Sequence, residues 1–185
     1  MTPEKFFLHR QDAILVIIDI QERLAAVMGE RQKVIANCLH LINAAGLLQI
    51  PVLITEQYPK GLGLTVKEIK DASGINEAIE KIAFNSCKAP DFITKISSYR
   101  RNKIILTGME THICVLQTCL GLLGGGYSVH VANDAVCSRT TENYKTGIEF
   151  MRDAGAVITC TETILFQLLE KAGTEEFKNI SRRIK

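Results

Sequence analysis

Three side chains able to do covalent chemistry stand where the chain changes direction. Asp19 closes the apolar run Ala13–Ile18, Lys81 precedes Ile82, Ala83 and Phe84, and Cys114 follows a second apolar run, Ile104–Leu106, across the break Thr107-Gly108. A thiol is a nucleophile, and a carboxylate that takes its proton and later activates water suits a covalent mechanism. An ammonium near both favours their charged forms. Thr111 reads as the N-cap of a helix carrying Ile113, Val115, Leu116 and Leu120. Cys114 then sits in the first turn, where unpaired N–H groups and the helix dipole favour a thiolate. Each residue also has a plainer role by type: a core-filling cysteine, a turn aspartate, a solvated lysine. Their common setting at strand ends is what favours chemistry, because open α/β sheets bind ligands at the carboxyl ends of their strands.

The elements that must position these groups follow from apolar patterning. Short strands are expected at 13–18, 51–54, 104–106, 128–132 and 157–160. Between them lie helical stripes at 32–48, 66–72, 75–80, 91–99, from Thr111 onward, at 141–154 and at 164–169, with a polar tail after the last. Strands alternating with amphipathic helices mean a doubly wound, mainly parallel sheet covered on both faces. The helix after Cys114 is apolar nearly all round, which buries it within the domain or against a partner. Gly124-Gly125-Gly126 follows a helix and precedes a strand, so it is a C-cap and turn rather than a phosphate loop.

With 185 residues, 46% of them hydrophobic and 23% charged, the chain is expected to form one soluble domain over residues 1–185. A net charge of +2 implies no nucleic-acid partner, and the tail cations Arg182, Arg183 and Lys185 read as a solvated end. No apolar window is long enough for a membrane span, so no membrane partner is expected. The first residues lack the apolar core of a signal peptide. Six scattered cysteines then read as reduced thiols, which places the protein in the cytoplasm. Cys114 and Cys119 at i, i+5 share no helix face, and His9, His40, His112 and His130 lack partners at ligand spacing, so no metal site is expected. The absence of Gly-x-Gly-x-x-Gly after the first strand excludes a dinucleotide binder.

Four motifs, in order and spacing, resemble the isochorismatase-like cysteine hydrolase superfamily over most of the chain. They are Asp19-x-Gln21, Lys81-x-x-Phe84, Gly108-Met109-Glu110-Thr111-His112-Ile113-Cys114-Val115, and Asp134-Ala135-Val136-Cys137-Ser138-Arg139. The segment Thr55–Gly63 narrows the resemblance to the isochorismatase domain-containing subgroup. The resemblance implies a three-layer α/β/α (Rossmann-like) sandwich, a triad of Asp19, Lys81 and Cys114, and a homo-oligomer. It also implies a cis peptide between Met109 and Glu110, with the N–H groups of Glu110 and Cys114 forming an oxyanion hole. Nicotinamidases of this superfamily hold a metal with an Asp-x-His and a further His. Here the matching segment is Glu56-Gln57-Tyr58-Pro59, and no histidine lies between His40 and His112. Isochorismate-cleaving members lack the cysteine, so Cys114 argues against that substrate. The expected protein is a metal-free, cofactor-free cysteine hydrolase of a small molecule's C–N bond, amide or carbamoyl-type, through a Cys114 thioester. Gln21, Gln57, Phe84 and Asn85 would shape its pocket, by position alone. The alternative is a binding or scaffold protein with a reactive but idle thiol.

Overall fold

Every residue of the strand Ala13–Ile18 (β1) is apolar and buried, and the architecture is built outward from it. The structure, a computed structural model, describes residues 3–184. Met1, Thr2 and Lys185, the last of the tail cations, lie outside the described residues. Five further strands join β1: Val52–Gln57 (β2), Ile79–Lys81 (β3), Lys103–Met109 (β4), Ser128–Cys137 (β5) and Val157–Thr159 (β6). Their order across the sheet is β3-β2-β1-β4-β5-β6, and every pairing is parallel. The helices are Glu22–Ala26 (α1), Arg31–Leu48 (α2), Pro59–Leu62 (α3), Lys67–Ser73 (α4), Pro90–Ser98 (α5), Leu116–Gly124 (α6), Thr141–Asp153 (α7), Thr161–Leu169 (α8) and Glu175–Arg183 (α9).

Alternation along β1 divides the core in two, as a strand's two-residue period requires. Ala13, Leu15 and Ile17 pack with residues of α2, α4, α8 and α9, including Leu41, Ile69, Leu165 and Ile180. Ile14, Val16 and Ile18 pack with α5, α6 and α7 through Phe92, Ile96, Leu116, Leu122 and Met151. The result is a six-stranded α/β/α sandwich. α6 is absorbed by its own chain: Leu116, Cys119 and Leu122 are buried, and Leu120 and Leu123 pack against the same cluster.

Strand order reverses beside β1, whose neighbours are β2 on one side and β4 on the other. That is the switch point at which such sheets open a crevice. Gly108 makes the two strand ends meet there. Its φ is +122°, and a Cβ would lie 2.0 Å from the carbonyl oxygen of its ladder partner Ile18, so only glycine fits.

Several sequence expectations are corrected. The stretch 75–80 is not helical; it leads into β3, an edge strand too short and polar to show a strand pattern. Thr111 is not an N-cap. Residues Thr111–Val115 form a π-turn after Glu110, and the Thr111 hydroxyl is buried without a partner. β4 and β5 run on past the expected 104–106 and 128–132. The polar tail folds into α9, capped by the Thr174 hydroxyl and docked through the buried Ile180.

Candidate active site

Asp19 ends β1 with φ 50°, which turns the chain out of the sheet, and its side chain is fully buried. Thr55, across from Ile18 in the ladder, donates its hydroxyl to Asp19 Oδ1 at 2.6 Å. Lys81, the last residue of β3, donates from Nζ to Asp19 Oδ2 at 2.6 Å. Its other two ammonium protons go to Gln57 Oε1 at 2.8 Å and to the Phe84 carbonyl at 3.4 Å. Both members of this ion pair are 0% exposed. A buried pair is tolerated only when its remaining donors and lone pairs are also satisfied, which is the situation here.

Cys114 reaches the same place from the other side of β1. The π-turn after β4 carries it, and the Glu110 carbonyl accepts from the Ile113 and Val115 amides, passing over that of Cys114. Gly147 of α7 seats the turn: a Cβ there would lie 3.0 Å from the backbone of Thr111 and His112. The Met109–Glu110 peptide is cis. The Glu110 carboxylate, also buried, accepts from the backbone N–H and Nε of Arg139 at 3.0 and 3.1 Å. His112 Nδ1 lies 2.9 Å from the Ser138 hydroxyl, so the turn is tied twice to the segment after β5.

The resting thiol differs from expectation. Cys114 is 5% exposed, and its thiol is pushed up to about 12, by burial first and by the Asp19 charge next, with the Lys81 ammonium opposing. A first-turn cysteine would be favoured as thiolate; this one lies in a π-turn under the core, where desolvation outweighs the cation. The arrangement therefore holds a protonated thiol beside a carboxylate and an ammonium.

The remaining predicted residues fall around Lys81 rather than around an open pocket. Gln21 is fully buried and Gln57 nearly so, and their amides bond to the protein. The Phe84 ring is 53% exposed, while its carbonyl faces Lys81. Asn85 Oδ1 accepts from the Cys87 amide and lies close over Gly121 of α6. A cavity of about 320 Å³ beside Lys81 is lined by Pro59, Ile82, Lys88 and Pro90, among others. Another of about 330 Å³ lies at the carboxyl end of β5, against Lys33, Ser138, Arg139 and Tyr144. Among the described residues, no cluster of three or more His, Cys, Asp or Glu could hold a metal. Sequence reasoning missed Thr55 and the Glu110–Arg139 pair. A hydroxyl inside the apolar run Val52–Thr55 was the available signal for the first; nothing local marked the second.

The Isochorismatase domain model matches residues 13–163. The secreted isochorismatase effector Isc1 of Phytophthora sojae is 38% identical over 179 residues, covering 94% of this chain and 84% of that protein. Isochorismatase domain-containing protein 2A of Mus musculus is 34% identical over 175 residues, covering 95% and 84%. Among solved structures, the MAR1 ribonuclease from Caenorhabditis elegans superposes with a TM-score of 0.89 at 35% identity, over 96% of this chain and 92% of that one. With both strand ends that carry Asp19 and Cys114 inside the matched span, this chain belongs to the isochorismatase family.

Proposed function

We propose that the chain is a cysteine hydrolase that opens a C–N bond in a small amide or carbamoyl-type compound, with Asp19, Lys81 and Cys114 as its triad. The observation that carries this reading is the fully buried Asp19–Lys81 pair, both of whose charges act on the Cys114 thiol. Because the resting thiol is protonated, Asp19 takes its proton as sulfur attacks the carbonyl carbon. A C–S bond forms, and the carbonyl oxygen becomes an oxyanion facing the N–H groups of Glu110 and Cys114. The tetrahedral centre collapses, the C–N bond breaks, and the leaving nitrogen takes the proton from Asp19. Water then gives a proton to Asp19 and adds to the thioester; the C–S bond breaks, the acid leaves, and the proton returns to sulfur. Lys81 stays hydrogen-bonded to Asp19 and holds the developing thiolate. Nucleophile, base and cation all come from side chains, so the scheme uses no metal or cofactor. Six unpaired cysteines support a reducing, cytoplasm-like compartment.

A second reading, a binding or scaffold protein with an idle thiol, is favoured by the high thiol value and the sealed position of Cys114. Turnover of an amide panel by wild type and Cys114→Ala separates the two. The hydrolase reading expects loss of at least about 10³-fold in kcat for the variant, and a mass-spectrometric acyl adduct on Cys114 in quenched wild-type reactions. Equal turnover by the variant, or none by wild type, sinks it.

A further inference from the structure

The β1–β2 ladder stops at Ile18 and Thr55, because Asp19 leaves extended backbone. Gln57, two residues farther along β2, then has no strand beside it on that side. The Gln21 side chain takes the vacant place. Its Oε1 accepts the Gln57 amide at 2.7 Å, and its Nε2 donates to the Gln57 carbonyl at 3.1 Å and to the Gly63 carbonyl at 2.7 Å. A primary amide offers the same donor and acceptor as a peptide group, so Gln21 supplies one more rung of sheet after the backbone has departed. Gln57, clamped in this way, points its own side chain across β3. Its Nε2 donates to the Ile82 carbonyl at 2.7 Å, which leaves Oε1 to accept from Lys81 Nζ.

We propose that Gln21 and Gln57 are positioning residues: a two-amide relay that holds the Lys81 ammonium aimed at Asp19 and Cys114. The Gln57 oxygen satisfies one of the ammonium's protons without adding a charge. A carboxylate in that place would compete with Asp19 for the ammonium and oppose ionisation of the thiol, so the site calls for a neutral acceptor of glutamine length. Neither residue need touch a reacting atom; both act through Lys81. The proposal rests on the triad reading for its purpose, but its effect is read on the thiol rather than on turnover.

The test is the rate of Cys114 alkylation by iodoacetamide in the intact chain between about pH 6 and pH 9, followed on the Cys114 peptide by mass spectrometry. Gln57→Met is expected to slow alkylation about tenfold at a given pH, equivalent to one unit in the thiol. Gln21→Met should slow it in the same direction by less. Lys81→Met sets the full effect, and neither glutamine variant should slow the reaction further in that background, since the relay acts through the ammonium. Gln57→Asn keeps a neutral amide one methylene too short to span to Lys81; it carries the same expectation if either methionine variant fails to fold. Slowing that persists in the Lys81→Met background overturns the proposal. So does an unchanged rate in variants whose urea midpoint has fallen, which is the signature of a merely structural role. Amide turnover is scored separately, and its absence in wild type counts against the hydrolase reading alone.

Discussion

Among the described residues two lysines are buried, at opposite ends of the sheet, and they serve different ends. Lys103 opens β4 at the amino edge, where Nζ donates to the Phe7 carbonyl at 2.6 Å, the Glu4 carbonyl at 2.7 Å and Glu4 Oε1 at 3.2 Å. Lys81 closes β3 at the carboxyl edge and also makes three bonds. The contrast lies in the counter-charge. The Glu4 carboxylate is 65% exposed and can turn to water, whereas Asp19 is sealed with its lysine. The neighbours differ as well. Beside Lys103 stands His130, whose value is lowered to about 4, by burial first and by the lysine's charge next. Beside Lys81 stands a thiol. A buried cation is therefore not a site in itself. Lys103 pins the segment around Pro3–Phe6 to the sheet; Lys81 keeps a carboxylate and a thiol in one dry place.

Removing each ammonium should separate the two roles, and the largest effect is expected at Lys81. Lys81→Met leaves Asp19 buried with Thr55 as its remaining side-chain partner. Urea unfolding should show a loss of about 3–5 kcal/mol, and amide turnover should fall by about 10²–10⁴-fold. Wild-type turnover in this variant would reduce Lys81 to the status of Lys103.

Acid sensitivity should belong to the other end. The folded value of His130, about 4, lies below its ordinary 6.5, so the folded chain binds fewer protons than the unfolded one between them. The stability it contributes is complete above about pH 6.5 and is lost as pH falls through 4. His130→Phe should accordingly lose about 2–3 kcal/mol less than wild type between about pH 7 and pH 4. Parallel losses in the two chains would mean that His130 is not held neutral.

The smallest effect is expected at Lys103. Lys103→Met exchanges three hydrogen bonds for an apolar chain of similar length and strands no buried charge, so unfolding should report about 1–2 kcal/mol with turnover unchanged. A collapse of turnover would erase the distinction between the two lysines.

The elements that apolar patterning identified are those whose burial is complete. β1 is read to the residue because all six of its side chains are apolar, and α2, α7 and the centre of β4 follow from their own stripes. The failures share a physical cause. β3 is three residues long with a charged centre, so its strand character comes from pairing with β2 and from nothing in its own pattern. The π-turn looks like a capped α-helix because a threonine stands after a break and ahead of the apolar stripe Ile113, Val115, Leu116 and Leu120, while the backbone answers to Gly147 and to the close of β4.

Residue types and their order were enough to place an acid at the end of β1 and a thiol after β4, and to require a covered parallel sheet, because hydrophobic periodicity is a local property of the chain. Only the tertiary structure decided that Lys81 ends an edge strand opposite Gln57, that Thr55 and Gln57 complete the hydrogen bonding of the buried pair, and that the thiol rests protonated. Those are matters of strand register and desolvation. They depend on which residues lie side by side and how much water is excluded between them, and neither is written in the neighbourhood of any one residue.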